Sequence, residues 1–204
     1  MNSPEAATRC PAEWHEAKKA RESLIAAAGA ARPPLARRAA QAVMAQAECE
    51  QKRFASWRIE VGSQAIMAAE LRAVRRQYLT TSTLYEEAAG YGDRVTSVGA
   101  WARLADLHLG FARLLDELPV PVDVQAPAAR ADYRRQMREL MSTFEIEAAL
   151  AATRALDAGR DGGGDRDRRL AAWLSGSCEK LAVLDPESVA GYPACAGVPR
   201  EGPE

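Results

Sequence analysis

The sequence is poor in aromatic residues and histidine, and it contains no long uncharged apolar run. Phe, Trp and Tyr make up 6% of the 204 residues, and there are two histidines. No segment approaches the roughly 20 apolar residues that a membrane-spanning helix requires, so we expect no membrane insertion. Residues 1–16 lack the basic start and apolar middle of a signal peptide. The sequence as written therefore predicts a cytoplasmic protein, or a periplasmic or cell-envelope protein if an export signal is missing.

The chain also lacks an excess of charge of one sign. Its formal net charge is −1 at pH 7, so no overall field attracts DNA or anionic lipid. Neighbouring arginines occur at 37–38, 75–76, 134–135 and 168–169, but acidic residues lie close to them. A nucleic-acid-binding surface needs an uncompensated basic face. We therefore expect no nucleic-acid partner.

The four cysteines form no CxxC pair, which disfavours a zinc site. Cys10 and Cys49 lie towards one end of the chain, and Cys178 and Cys195 lie towards the other. In an oxidising compartment each of these two pairs could form a disulfide, whereas in a reducing compartment all four would be free thiols. The sequence leaves both alternatives open.

Alanine, which has the highest helix propensity, is abundant, and apolar residues recur at helical spacing along most of the chain. This spacing predicts helices at about 12–30, from 34 to a break near 62–63, and at 67–88, 94–118, 127–158 and 167–184. No stretch alternates between apolar and polar residues as a strand would. We predict an all-α fold of about six antiparallel helices in hairpins, either a tetratricopeptide-like helical repeat or a bundle.

The same pattern divides the chain into three parts. Residues 1–11 form an N-terminal arm, residues 12–184 form one helical domain, and residues 185–204 form a tail rich in proline and glycine. We expect the tail to be irregular, because proline and glycine interrupt regular structure, and to be anchored by Tyr192.

The stretch 100–124, AWARLADLHLGFARLLDELPVPVDV, covers most of the fourth predicted helix and the connector after it. Apolar residues form two adjoining stripes on this helix, so we expect it to pack on two sides in the interior of the fold. The remaining face is polar. It carries Arg103, Asp106, Arg113 and Glu117, which we predict to form a partner-binding face.

His108 lies on an apolar stripe of the same helix. A metal-binding histidine usually has further ligands one turn away or carboxylates on facing helices, but apolar residues occupy the positions one turn from His108. We therefore predict a packed histidine with one hydrogen bond. His15 begins the run HEAKK, in which Lys19 replaces the second histidine of a zinc-protease HExxH motif. We assign no catalytic residue, no metal ligand and no cofactor.

Two further patterns suggest chemistry that the surrounding residues do not support. The loop 157–168, DAGRDGGGDRDR, has acidic residues at EF-hand positions, but Arg168 stands where a glutamate must close the calcium site. We expect a solvated glycine-rich loop there. Ser177 and Lys180 match the S-x-x-K pattern of penicillin-recognising enzymes, but the companion motifs of those enzymes are absent.

Part of the sequence resembles tetratricopeptide repeats. The spacing Trp101-x-x-Leu104-Ala105-x-x-His108 follows the W-x-x-L-G-x-x-Y pattern of a first repeat helix, with Ala105 at the glycine position, and Tyr85-x-x-Ala88 follows the pattern of a second helix. Residues 64–193 also resemble the C-terminal segment of long tetratricopeptide-type proteins of myxobacteria, some of which are linked to gliding motility and the cell envelope. The matching elements include the Leu118-Pro119-Val120-Pro121 connector, the long helix that opens near Tyr133 and the pair Tyr192-Pro193. This resemblance implies a non-enzymatic, often exported scaffold and places His108 at a packing position.

The leading hypothesis is therefore a non-enzymatic scaffold of tetratricopeptide-like type that binds a protein partner on one face of stacked helical hairpins. The alternative is a small ligand- or metal-binding helical bundle, or an enzyme built on one. That alternative depends on four polar residues that could converge inside the fold: His108, Tyr78, Tyr85 and Glu50. A third hypothesis is an architectural role as the terminal cap of a larger assembly.

Overall fold

A computed structural model describes residues 10–160 and 167–197, and within these ranges it contains helices and no strand. The long helices are α1 (Pro11–Ile25), α2 (Arg32–Ala55), α3 (Gln64–Gly90), α4 (Arg94–Asp116), α5 (Pro127–Gly159) and α6 (Arg168–Leu184). A short helix, α7 (Pro186–Val189), and 3-10 turns at Gly29–Ala31 and Pro193–Cys195 complete the described secondary structure. The predicted all-α class is confirmed.

Two helices end earlier than their apolar spacing predicts. α1 ends at Ile25 rather than near residue 30, and α2 ends at Ala55 rather than near residue 62. At the end of α2, Ser56 Oγ donates to the carbonyl of Arg53, and Arg58 Nη1 donates to the carbonyls of Ala55 and Trp57. These side chains satisfy backbone carbonyls that a continuing helix would otherwise bind. The prediction that α2 reaches residue 61 is therefore wrong.

The proline-containing connector after α4 lies against the loop that precedes α3. The backbone NH of Val122 donates to the carbonyl of Gly62 at 3.0 Å, and Asp123 Oδ1 accepts from the backbone NH of Gln64 at 2.8 Å. Ser63 Oγ also accepts from the NH of Ile66. The start of α3 is thus capped both by its own N-cap serine and by a distant aspartate.

Alternate helices run parallel and form two layers. In the layer of α2, α4 and α6, Gly99 of α4 faces Trp173 of α6, and about two turns further along both helices Asp106 faces Lys180. In the layer of α1, α3 and α5, Arg21 of α1 pairs with Glu87 of α3. Consecutive helices are antiparallel hairpins, so the fold is a stack of hairpins rather than a closed ring of helices.

Helix α4 occupies the centre of the stack and contacts α2, α3, α5 and α6. Its apolar stripes are buried, as predicted, with Leu104, Leu107, Phe111 and Leu115 at most 2% exposed. It also packs on a third side, which the sequence did not predict. At Gly99, an added Cβ would lie 2.6 Å from the Trp173 ring, so only glycine permits this approach of α6.

Within each layer, an ion pair joins neighbouring helices at one end of the stack. Arg21 donates from Nε and Nη2 to the two carboxylate oxygens of Glu87, at 2.6 and 2.7 Å, and the Tyr91 hydroxyl donates to the same carboxylate. The hydrogen bonds from Arg21 lower the pKa of Glu87. Arg37 donates to Asp93, the N-cap of α4, at 2.9 Å. These pairs tie α1 to α3 and α2 to the start of α4.

Both cysteine pairs are disulfide-bonded in the structure. Cys10–Cys49 joins the start of α1 to α2 with a Cα–Cα distance of 6.0 Å, and Cys178–Cys195 joins α6 to the segment after α7 with a distance of 5.3 Å. The tail, predicted to be irregular, contains α7 and a 3-10 turn as far as it is described. Tyr192 anchors it, since its hydroxyl donates to Asp157 at 3.2 Å and its ring lies under the Arg160 guanidinium.

We predict that Gly99→Ala destabilises the protein by roughly 1–3 kcal/mol, because its methyl group would collide with the Trp173 ring. Gly176→Ala on α6 is the matched control, since the nearest atom to a Cβ there is the flexible Lys180 Nζ at 3.5 Å. It should be neutral or stabilising by up to about 1 kcal/mol. Urea unfolding measures both, and equal stabilities would contradict the close packing of α4 on α6.

We predict that removal of Cys10–Cys49, which closes a separation of 39 residues, lowers the free energy of unfolding by about 4 kcal/mol. Removal of Cys178–Cys195, with a separation of 17 residues, should cost about 3 kcal/mol. Urea unfolding of the two cysteine-to-serine double variants measures this. Peptide mapping without reductant checks the pairing, and a Cys10–Cys178 linkage would contradict the fold.

Candidate functional site

The predicted partner-binding face of α4 is divided into two halves by its neighbours. In the first half, Arg103 lies 3.7 Å from Glu48 of α2 and 3.5 Å from Asp106, and Asp106 lies 2.9 Å from Lys180 Nζ of α6. These contacts form a chain of ion pairs across α2, α4 and α6. Arg103 and Asp106 are therefore already engaged by the protein's own helices.

The second half, Arg113 and Glu117, is exposed and has no such partners. Within residues 10–160 and 167–197, neither side chain forms an ion pair or a side-chain hydrogen bond. The two residues lie one turn apart at the C-terminal end of α4, beyond the point where α6 ends. This half of the predicted face is available to a partner.

Arg113 and Glu117 lie on one wall of a groove between the C-terminal parts of α2 and α4, which we call the α2/α4 groove. Its volume is about 370 Å³. The lining residues are Gln51, Phe54, Ala55, Trp57, Arg58 and Ile59 from α2 and the following loop, and Asp106, Gly110, Arg113, Leu114, Glu117 and Leu118 from α4 and its end. Three of the four residues of the predicted face, all but Arg103, thus line one groove.

The floor of the α2/α4 groove is apolar and its rim is charged. Trp57, Ile59, Leu114 and Leu118 are half-buried against the core and form the apolar part. An added Cβ at Gly110 would lie 3.4 Å from Phe54 Cε1, so the glycine leaves the floor open. An apolar centre with a polar rim is the usual composition of a protein–protein interface.

The sequence did not reveal the α2 wall of this groove. The apolar spacing continues past the end of α2, so the sequence predicts that Trp57 belongs to a longer α2 and does not show that Trp57 and Ile59 line a groove. The signal that could have located this wall is Ser56 followed by Arg58, because their side chains donate to the carbonyls of Arg53 and Ala55 at the end of α2.

His108 is packed in the core, as the sequence predicts, and makes one hydrogen bond. It is 5% exposed, and its Nδ1 lies 2.7 Å from the Tyr78 hydroxyl. The Tyr78 ring also stacks on Phe111 and meets the edge of Phe144. A neutral imidazole accepts the phenol proton at Nδ1 when its own proton is on Nε2.

The aromatic surroundings keep His108 neutral. Burial, assisted by the positive charge of Arg154, lowers its pKa to about 4. Burial likewise raises the pKa of Tyr78 above its usual range. The pair therefore carries no charge at neutral pH, which suits its position between apolar rings.

Glu50 belongs to a separate network. It is 2% exposed and accepts hydrogen bonds from Trp14 Nε1 at 2.7 Å, Arg53 Nη1 at 2.9 Å and Gln77 Nε2 at 2.6 Å. Arg53 supplies a positive partner charge for this carboxylate. A buried carboxylate with three donors is well compensated, so Glu50 fastens α1 and α3 to α2.

Tyr85, the last of the four polar residues that could converge, donates to Gln51 Oε1. The structure thus brings together Tyr78 and His108 but places Tyr85 and Glu50 in hydrogen bonds with other partners. The four side chains do not form one polar centre within the described part of the chain.

The side chains of the S-x-x-K pattern, and Asp157 of the EF-hand-like loop, bind other groups of the protein. Ser177 Oγ donates to the carbonyl of Trp173, whereas Lys180 pairs with Asp106, so these two side chains are not assembled as a nucleophile and base. Asp157 accepts from Tyr192. Asp161, Gly162 and Asp165 of the loop lie outside the described residues. Among residues 10–160 and 167–197, no group of three or more His, Cys, Asp or Glu side chains is arranged to hold a metal ion.

Among the residues that the structure covers, no helix combines the length and the hydropathy needed to cross a membrane. No family model, curated protein or solved structure matches the chain at a significant level.

We predict that the protein loses roughly 1–2 kcal/mol of stability between pH 7.5 and pH 5, because of His108. Its pKa is about 4 when folded and near 6.5 when unfolded, so on acidification the unfolded chain binds the proton first. The stabilisation is complete above about pH 6.5 and is lost as the pH falls towards 4.

Urea unfolding at both pH values measures this loss. His108→Phe should remove most of it, because no titrating group remains at that position. His15→Gln is the matched control, since His15 is exposed on α1, and it should keep the full pH dependence. An unchanged pH dependence in His108→Phe would show that other groups cause it.

Proposed function

We propose that the chain is a non-enzymatic protein-interaction scaffold and that the α2/α4 groove binds an extended segment of a partner protein. The observation that carries this proposal is the combination of a half-buried apolar floor with Arg113 and Glu117, which have no ion-pair partner in the described part of the chain. Aromatic and arginine side chains such as Trp57, Arg58 and Arg113 are enriched among the residues that dominate binding at protein interfaces.

The stack of hairpins supports a scaffold of tetratricopeptide-like type. Parallel alternate helices in two layers are the arrangement by which helical repeats expose long binding surfaces. The positions that match the repeat pattern have packing roles, since Leu104, Ala105, Tyr85 and Ala88 are all at most 1% exposed. Trp101 is half-buried under the Arg154 guanidinium.

The two disulfides support a location outside the reducing cytoplasm. Disulfides persist in the periplasm and outside the cell, where thiols are not kept reduced. Because both pairs of cysteines are bonded and buried, we propose that the scaffold works in an oxidising compartment, as part of a bacterial cell-envelope assembly.

The α4 wall of the groove, from Asp106 to Leu118, is about 18 Å long, which accommodates roughly five or six residues of an extended peptide. We therefore expect a displayed library of random peptides of about eight residues to yield binders to the full, disulfide-bonded chain. Gly110→Leu should weaken these binders at least about ten-fold, because its side chain would fill the floor beside Phe54. Fluorescence polarisation measures the affinities.

Gly176→Leu on α6 is the matched control, because Gly176 lies within a helix and outside the groove. It should leave the affinities unchanged. Arg113→Glu provides a second test on an exposed side chain that makes no contact needed for folding, and it should weaken the same peptides. A library without binders, or binders that are indifferent to both groove variants, would contradict the proposal.

A further inference from the structure

Each helix from α3 to α6 packs on the two long helices that precede it. α3 contacts α2 and, through Glu87 and Arg21, α1. α4 contacts α3 and α2, α5 contacts α4 and, through Phe144 and Tyr78, α3, and α6 contacts α5 and α4. A further helix that continued the stack would therefore lie on α5 and α6.

In the described part of the chain this next position is filled only at one end. α7 and the 3-10 turn after it pack on α6, where Val189 and Cys195 are buried together with Leu156. α7 has four residues and the turn has three, so they do not cover the length of α6. Beside them, between the middle of α5 and the C-terminal end of α6, lies a groove of about 510 Å³. We call it the α5/α6 groove.

The α5/α6 groove exposes large apolar side chains. Ile146 and Leu150, one turn apart on α5, are 62% and 47% exposed, and Val183 on α6 is 69% exposed. The half-buried Ala149 lies with them in the groove lining. A cluster of exposed aliphatic side chains in a concave surface marks an interaction site, whereas scattered ones do not.

The charges around this groove are of one sign. Glu145 and Asp185 line it, and no basic residue in the described ranges does. Asp185 caps α7 by accepting from Ser188, and Glu145 has no ion pair among the described residues. A second copy of the chain that bound through the same face would bring like charges together, whereas a basic partner would be attracted.

We propose that the α5/α6 groove is a docking site for an amphipathic α-helix of a partner protein. The helix takes the next position in the stack, buries an aliphatic stripe against Ile146, Leu150 and Val183, and places Lys or Arg beside Glu145 and Asp185. This is the helix-in-groove mode of recognition, in which apolar anchors recur every three or four residues. The site extends the proposed scaffold function but shares no residue with the α2/α4 groove.

The test uses the full chain with its disulfides intact and a displayed library of stable single helices that are randomised on one face. Selected helices should carry aliphatic residues at helical spacing with Lys or Arg beside them. Ile146→Asp should weaken their binding at least ten-fold. Glu145→Lys should weaken the same helices and favour helices with acidic residues instead. Leu79→Asp is the matched control, because Leu79 is 49% exposed on α3 and lies outside the groove, and it should have no effect.

Three results would overturn the proposal. One is a library that yields no helix above background, and another is a set of helices whose affinity Ile146→Asp does not change. The third is a wild-type dimer that Ile146→Asp dissociates in sedimentation, which would make a second copy the occupant. Gly110→Leu should not affect the selected helices, so a failure of the α2/α4 groove and a failure of this site are distinguishable.

Discussion

The close packing of α4 against four other helices is the constraint on which the rest of the structure depends. Small residues make it possible. Ala100 and Ala105 of α4 are fully buried, and Gly99 receives the Trp173 ring at a distance that no side chain would allow. Because α4 contacts four other helices, its exposed side chains, Arg113 and Asp116, lie near its C-terminal end, whereas Arg103 and Asp106 are only partly exposed. This C-terminal end lies where α2 ends and the α2/α4 groove begins.

Polar groups inside the stack bind the helices to one another. Glu50 receives donors from α1, α2 and α3, and Tyr78 of α3 is bonded to His108 of α4. The bonds from Trp14, Gln77 and Tyr78 each join two consecutive helices, so together they fix how the antiparallel helices are aligned. A buried polar group that lost its partner would cost about 1–3 kcal/mol, which opposes slippage of one layer on the other. Because the same helices form the walls of the grooves at the surface, the grooves are rigid too.

Periodicity made the helices, the central position of α4 and the packed His108 predictable, because these follow from local spacing. The end of α2 was not predictable in this way, since Ser56 and Arg58 stop the helix while the apolar pattern continues. The division of the polar face of α4 depends on Glu48 and Lys180, which only the parallel arrangement of α2, α4 and α6 brings to it. Likewise, the sequence shows that Ile146 and Val183 are apolar but not that they remain uncovered.

The two grooves differ in chemistry, and this difference affects how the proposed scaffold would bind its partners. The α2/α4 groove has charges of both signs around an apolar floor, whereas the charged residues that line the α5/α6 groove, Glu145 and Asp185, are both carboxylates. A segment suited to one is therefore poorly suited to the other, and the two would not compete. If both segments belong to one partner, binding of the first raises the effective concentration of the second, and the complex is tighter than either contact alone. If they belong to two partners, the rigid packing of α4 between the grooves holds those partners in a fixed relative orientation.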